Sequence, residues 1–350
     1  MSTISIPKEK LTNYVKNIFL KAGLEEEAAD ITARHLVFAN LRGVDSHGVT
    51  RVSIYCKRLA AGTINPHPQI RVERETPASA LLHADNGIGI YSATKGMEMA
   101  IEKAKKSGIA VVGVYESNHC GMLAAYTLQA AQQDCIAMAT TNAPSLIAPW
   151  GGKEPFFGTN PFSYAVPVAG GQDIVFDMAT SVAARGKILL AKQNNQQIPL
   201  GWALTKDGEP TTDPNEALEG IILPVGGHKG YGLMVMVEVL SALFTGAQFG
   251  PHVGDMYKSA TAQQRVGHTF IVIRADLFHD LDKFKQRMHQ FVREIKSVAK
   301  LKDTEEIYLP GELERIQYQK RAAKGIPLSR ELLEDLTETA HRYGISERLI

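Results

Sequence analysis

The chain has 350 residues, with Lys+Arg at 38 against Asp+Glu at 37 and a formal net charge of +1, so it offers no broad field for nucleic acid or an anionic membrane surface. At that length it can bury a sizeable core, in two domains or in one elaborated domain. Its three cysteines, Cys56, Cys120 and Cys135, are scattered without a CxxC pair, and the first residues carry no basic stretch leading into an apolar core, so a reducing, cytoplasmic setting is expected.

Pro7 suits a first helical turn, and Leu11, Tyr14, Val15, Ile18 and Phe19 then recur at helical spacing until Gly23 supplies a stop. A second helix over 25–40 delivers the chain to Ser46 and His47. The segment 41–55 sets an imidazole (His47), a guanidinium (Arg51) and a phenol (Tyr55) close together. Arg51 has the planar fork that matches a carboxylate, and His47 is the side chain type whose ordinary titration lies near neutrality. The same residues also suit a helix end whose charges are merely solvated.

Beyond Pro66 and Pro68, residues 80–82 are strand-like, 92–106 helix-like, and 109–115 a β-branched run that makes the best strand in the chain. A polar loop holding His119, an apolar helix over 122–132 and a strand over 135–140 complete a β-loop-α-β unit. His119 therefore falls at the carboxyl end of a strand and before a helix, where ligands collect and where an imidazolium is disfavoured. A neutral His119 is suited to act as a base, or else to cap the helix through its ring.

Residues 174–177 read as a strand ending in Asp177, followed by a helix over 182–191. Gly226-Gly227-His228-Lys229-Gly230-Tyr231-Gly232 enters a helix while exposing amides beside a lysine, which suits a phosphate cradle and equally suits close helix packing. The apolar run 231–244 is too short to span a bilayer, contains Glu238 and reads as a buried helix. After a strand over 267–274, a helix over 277–298 places Leu281, Phe284, Met288, Phe291, Val292 and Ile295 on one apolar face. A capped helix over 329–344 is able to fold back on the N-terminal helices. No G-x-G-x-x-G or P-loop spacing occurs, which disfavours a Rossmann domain.

Leu41-Arg42-Gly43-Val44-Asp45-Ser46-His47-Gly48 and the glycine segment at 226–232 keep company with Ser117-Asn118-His119-Cys120-Gly121 and a run ending in Gly158-Thr159-Asn160-Pro161. Phe176-Asp177-Met178-Ala179-Thr180-Ser181, then Arg185-Gly186-Lys187, and Leu309-Pro310-Gly311-Glu312 complete the set. In this order and spacing they resemble the malate/L-lactate dehydrogenase family, which also holds ureidoglycolate dehydrogenase, sulfolactate dehydrogenase and 2,3-diketogulonate reductase. The resemblance covers nearly the whole chain. It implies an α/β fold with a mixed-sheet, non-Rossmann NAD(P)-binding domain over 71–275 and a helical domain built from both termini, 1–70 with 276–350. It implies NAD as cofactor, with NADP open. Gly227, His228, Lys229 and Gly230 are then expected at the pyrophosphate, Asp177, Met178 and Ala179 near the cofactor, and Pro310, Gly311 and Glu312 toward its adenine end. A homodimer with the site near the interface is implied as well.

Oxidation of a 2-hydroxy acid requires a grip on the carboxylate, a base for the hydroxyl proton and a carbon-bound hydrogen set against a nicotinamide. Arg51 is assigned to the carboxylate, His47 and His119 to proton transfer with Ser46 beside His47, and Asp177 to orienting a histidine or the nicotinamide ribose. Tyr55, Thr159 and Asn160 are assigned hydrogen bonds to substrate or carboxamide. Family members divide over which histidine moves the proton, and the sequence leaves that open. The expected activity is interconversion of a small 2-hydroxy acid and its 2-oxo acid, malate or lactate first, with ureidoglycolate, sulfolactate and a cyclic imino acid as alternatives. Two other classes compete: a thiol enzyme built on Cys120 at a helix N-terminus, and a non-catalytic dinucleotide-binding protein. No HxH or HExxH spacing supports a metal.

Overall fold

The computed structural model describes residues 3–257 and 261–350; Met1 and Ser2, part of the segment read for export, lie outside it. A strand, β1 (Thr3–Ile6), leads into α1 (Lys8–Lys21) and α2 (Glu26–Leu41), then single 3-10 turns at Asp45–His47 and Val49–Arg51, and α3 (Val52–Ala60). The sheet region follows with β2 (Arg71–Thr76), β3 (Ser79–His83), α4 (Gly89–Ser107), β4 (Ile109–Ser117), α5 (Ala124–Ala131), β5 (Cys135–Thr141), β6 (Phe162–Val166) and β7 (Ile174–Met178). An outlying portion contains α6 (Arg185–Gln193), β8 (Ala203–Leu204), β9 (Pro210–Thr211), α7 (Pro214–Glu219), β10 (Ile221–Ile222) and α8 (His228–Glu238). The chain then returns through β11 (Val266–Arg274), α9 (Leu281–Ser297), α10 (Glu312–Lys324), β12 (Ile326–Ser329) and α11 (Arg330–Arg342).

The fold is mixed α/β. Its main sheet has seven strands in the order β2-β3-β4-β11-β5-β6-β7. Only the β3–β4 pair is parallel, and β11 inserts between β4 and β5, antiparallel to both. The β4-loop-α5-β5 unit is thus present, but its two strands are neighbours of β11 rather than of each other. Packing is dense along the sheet: Gly96 of α4 has no room for a Cβ, which would lie 2.7 Å from Val114 and 2.8 Å from Phe270.

Both termini build one helical core. Leu11, Tyr14, Val15, Ile18 and Phe19 of α1 are all buried, and Gly23, at φ 103°, ends the helix by letting Leu24 N donate back to the Phe19 carbonyl at 3.0 Å. Leu333, Leu336 and Ala340 of α11 join that cluster, with Ser329 Oγ accepting from Leu332 N at 3.3 Å as the cap. Beneath them β1 pairs with β12, Ile6 against Ile326, a closure with no periodic signal in so short a segment.

One sequence expectation fails. The run 231–244 is not a buried helix: α8 passes into a π-helical turn at Val239–Leu243, and while Met234 and Val237 point inward, Leu243 is 55% and Phe244 67% exposed. Helix α9 has the expected amphipathic form, with Val292 buried, Leu281, Phe284, Met288 and Ile295 half-buried, and Phe291 of that face left exposed. No described helix is long and apolar enough to cross a membrane.

Candidate active site

The turn after α2 is held by side-chain hydrogen bonds from Asn40 and Arg321. Asn40, fully buried, accepts from Val49 N through Oδ1 at 2.8 Å and donates to Asp45 Oδ1 at 2.6 Å. Arg321 of α10 donates to the Asn40 carbonyl at 2.5 Å and grips both Asp45 carboxylate oxygens at 2.6 and 3.0 Å. Gly48 is required there, since a Cβ would stand 2.2 Å from Asn40 Oδ1. The frame presents Ser46, His47 and Arg51 on one short stretch. Ser46 Oγ lies 3.0 Å from His47 Nδ1, and Arg51 Nε donates to the Ser46 carbonyl at 2.7 Å.

The loop after β4 is held as firmly. Asn118 Nδ2 donates to the Asn86 and Gly87 carbonyls, His119 N donates to Gln264 Oε1 at 3.0 Å, and Tyr126 donates to the Cys120 carbonyl at 2.5 Å. Met122 N donates to His35 Nε2 at 3.0 Å, and Gly121, at φ 73°, has no space for a Cβ beside that ring. The two segments meet: the His47 and His119 rings stack at 5.5 Å, and the Tyr55 hydroxyl lies 2.6 Å from His119 Nδ1. Tyr257 stands over Arg51, its ring 5.8 Å from the guanidinium carbon.

Burial pushes His119 well below the ordinary imidazole range, aided by the positive fields of Arg51 and His47. His47 is pushed down to about 4 by burial and then by Arg51. Burial raises the Tyr55 hydroxyl, so the phenol stays protonated. At neutral pH the cluster holds two uncharged imidazoles, a phenol and a guanidinium, which can anchor an anion and exchange one proton beside it.

Other assignments change. Asp177 orients neither histidine: Tyr55 and Ser46 take the Nδ1 atoms, while Asp177 Oδ2 accepts from Ala124 N at 2.7 Å and so caps α5. Burial pushes the Asp177 carboxyl up to about 6 against that amide and Arg42. The α5 terminus consequently faces Asp177, and His119 owes its low basicity to burial and Arg51. Asn160 is not exposed to a substrate; its Nδ2 donates to the buried Glu238 Oε2 at 2.5 Å and to the Met234 carbonyl, fixing α8. Glu312 is also engaged internally, with Lys296 Nζ at 2.8 Å and Leu309 N donating to it at 3.0 Å. The Cys120 thiol, buried and pushed up to about 12 chiefly by burial, is no nucleophile. Among the described residues no group of three His, Cys, Asp or Glu side chains is placed to hold a metal ion.

The cofactor candidates gather along the end of β7. Val175 N donates to the Pro310 carbonyl at 3.2 Å and Gly311, at φ 82°, packs its backbone on Val175, which brings 310–312 alongside Asp177 and the half-buried Met178 and Ala179. Thr180 donates to the Thr159 carbonyl from N at 2.9 Å and from Oγ1 at 3.0 Å, and Val225 N donates to the Thr180 carbonyl at 2.9 Å. This links the glycine turn, where Gly226 and Gly227 have φ of 60° and 64°, to the same strand end. Gly230 serves packing, as a Cβ would meet the Val225 carbonyl at 1.8 Å, whereas Gly226, His228 and Lys229 are exposed at the start of α8. Open helix amides, a lysine, and the buried, unpaired Ser181 Oγ, whose residue bridges Pro224 just before the turn, fit a phosphate-bearing nucleotide with a polar group to satisfy them. Gln264, Tyr257 and Arg321 escaped sequence reasoning because each acts across a long separation, and Asn40 because a buried helix-end amide has no periodic signal.

The sequence profile of the family described as Malate/L-lactate dehydrogenase matches residues 6–337. The chain is 39% identical over 350 residues to a malate dehydrogenase of Pyrococcus abyssi, covering 98% of this chain and 96% of that one. It is 38% identical over 346 residues to the ureidoglycolate dehydrogenase (NAD(+)) of Escherichia coli strain K12, covering 99% and 96%. The solved structure of sulfolactate dehydrogenase from Methanocaldococcus jannaschii superposes with a TM-score of 0.93 at 38% identity, covering 99% of this chain and 98% of that one. This chain therefore belongs to the malate/L-lactate dehydrogenase family, as an oxidoreductase of the type that acts on 2-hydroxy and 2-oxo acids.

Proposed function

We propose that the chain is an NAD-dependent dehydrogenase that interconverts a small 2-hydroxy acid and its 2-oxo acid, with malate and lactate as the first candidates. The observation that carries this is the convergence of Arg51, His47 and His119, with the two rings 5.5 Å apart. Malate, ureidoglycolate and sulfolactate, the acids named for the relatives, each pair an acid group with a hydroxyl-bearing carbon, which suits one guanidinium and one neutral imidazole.

In this reading Arg51 binds the carboxylate and sets the hydroxyl against His119 Nε2, the ring nitrogen that Tyr55 leaves free. A nicotinamide dinucleotide, when bound, accepts the hydride from the hydroxyl carbon or returns it. His119 takes the hydroxyl proton at Nε2 as the C–O bond becomes C=O, and gives it back in reduction. His47, backed by Ser46, donates toward the same oxygen. Lys229, Gly227, His228 and the amides at the start of α8 hold the pyrophosphate, and Asp177, Met178 and Ala179 lie along the ribose. Pyruvate, oxaloacetate and sulfopyruvate offered with NADH and NADPH, followed by loss of reduced-nicotinamide absorbance, test the activity; binding of dinucleotide with no turnover of any 2-oxo or cyclic imino acid overturns it.

We also propose a homodimer, supported by the uncovered stripe of Leu233, Met236, Val239, Leu243 and Phe244 beside the glycine turn. A monomer in sedimentation equilibrium at micromolar concentration excludes it.

A further inference from the structure

The two imidazoles of the reaction centre come from separate parts of the fold: His47 from the turn after α2, His119 from the loop between β4 and α5. Their rings nevertheless stack at 5.5 Å with 26° between the planes, so one segment must be set against the other. A side chain behind the site is placed to do this. His35 of α2 is only 7% exposed, and its Nε2 accepts from Met122 N at 3.0 Å, just beyond His119 in the same loop.

The loop is shaped round that ring. A Cβ on Gly121, at φ 73°, would stand 2.5 Å from His35 Nε2 and 2.9 Å from its Cδ2. The Tyr126 ring of α5 lies 5.1 Å from the His35 ring between centroids and its hydroxyl donates to the Cys120 carbonyl, so Cys120, Gly121 and Met122 are all placed with respect to His35. One turn further along the same face of α2, Ala39 shares an apolar cluster with Met122 and Ala124. The next residue, Asn40, holds the turn of His47 through Val49 N and Asp45. Helix α2 thus docks the His119 loop with His35 and Ala39 and carries the His47 turn on its end.

Apolar packing such as that of Ala39 is non-directional and lets surfaces slide, whereas a hydrogen bond weakens steeply with length and angle. His35 supplies the directional link. Burial, and then the field of His47, push its imidazole down to about 3, so at neutral pH the ring is uncharged and keeps an acceptor nitrogen for Met122 N.

We propose that His35 is a positioning residue for proton transfer: by tying Met122 N to α2 it fixes the His119 ring against His47, so that both meet one substrate oxygen. This rests on the dehydrogenase reading given above, in which His119 takes the hydroxyl proton and His47 donates toward the same oxygen. His35 acts through the loop and has no contact with the reacting atoms in that scheme.

The test is steady-state reduction of pyruvate, oxaloacetate and sulfopyruvate by the wild-type chain, His35→Leu and His35→Gln, with NADH titrations and thermal melts alongside. Leucine removes the acceptor, while the glutamine side-chain oxygen can replace Nε2. A shift of the base by up to about 1 Å is expected to lower kcat about 10- to 100-fold in His35→Leu, with KM and NADH affinity within about threefold of wild type and most of kcat restored in His35→Gln. Wild-type kcat in His35→Leu overturns the role. A loss that moves KM and NADH affinity as far as kcat, or that His35→Gln fails to restore, also overturns it. Should the melt show His35→Leu unfolded, His35→Gln is compared with His35→Asn, whose amide is one methylene shorter: a slowed His35→Asn beside an active His35→Gln supports the role, and equal kcat in the two overturns it. A wild-type chain that turns over no 2-oxo or cyclic imino acid overturns the dehydrogenase reading and this role with it, whereas a fully active His35→Leu overturns this role alone.

Discussion

The Tyr55 hydroxyl and His119 Nδ1 lie 2.6 Å apart, so one end of the imidazole is fixed by the helix that also carries Arg51's neighbours, and in the function proposed above the other end meets the substrate. Replacing Tyr55 by Phe keeps the buried ring and removes that bond. Turnover is expected to fall roughly 10- to 100-fold with KM changed only a few-fold, against a fall of roughly 10²–10⁴-fold for His119→Ala. Steady-state kinetics decide it, and an unchanged kcat in Tyr55→Phe removes Tyr55 from the machinery.

The acid limb of kcat/KM should lie far below the usual histidine value. Burial and Arg51 hold His119 well below its ordinary range and His47 at about 4, so both imidazoles remain neutral as the solution is acidified. The profile for hydroxy-acid oxidation is expected to stay flat from neutrality to about pH 5. An inflection near the ordinary imidazole value, about 6.5, shows instead that the essential base is exposed.

Stability should be acid-sensitive. His35 and His268, both buried, are pushed down to about 3 by burial. Their folded values lie below the unfolded value of about 6.5, so the unfolded chain binds protons first. Their contribution is fully present above pH 6.5 and is lost as pH falls toward about 3, at about 1.4 kcal/mol per pH unit for each group. Asp177, raised to about 6 from 3.8, works in the opposite sense between those two values. Urea unfolding between about pH 7 and pH 4.5 should show the midpoint falling, and less steeply in His268→Gln; a midpoint independent of pH contradicts the assignment.

Arg321 should behave as a positioning residue for a site it does not touch. It grips Asp45 and the Asn40 carbonyl beneath the turn bearing Ser46 and His47. Asp45 is partly exposed, so Arg321→Ala is expected to cost about 1–3 kcal/mol of stability rather than the full cost of a buried pair. It should also lower kcat/KM about tenfold or more, with partial recovery in Arg321→Lys. A double-mutant cycle with Asp45→Ala measures the coupling, and additive losses would show that the two act independently.

Local chemistry announced much of this in the sequence. The α1 stripe, the Gly23 stop and the β4 run are short-range patterns, and each occupies the expected kind of place, while the segment bearing His47, Arg51 and Tyr55 is brought against His119. What stayed hidden depends on partners brought from far away. Asn160 looks like a ligand-binding group in the chain order, and only the arrival of Glu238 shows that its amide is occupied, while Ala124 N takes just one of the two Asp177 carboxylate oxygens. The outward stripe of α8 carries the same apolar residues as a core helix, because composition records what must be covered and not which molecule covers it.

The pairing of β1 with β12 has a bearing on synthesis. Ser46, His47 and Arg51 leave the ribosome well before the strand that seals their helical bed and the arginine that locks their turn, which lies 276 positions beyond Asp45. A nascent chain that has not yet made Arg321 leaves Ile6 unsealed and Asp45 ungripped, so the bed of these side chains closes only after the sheet strands between them have been made.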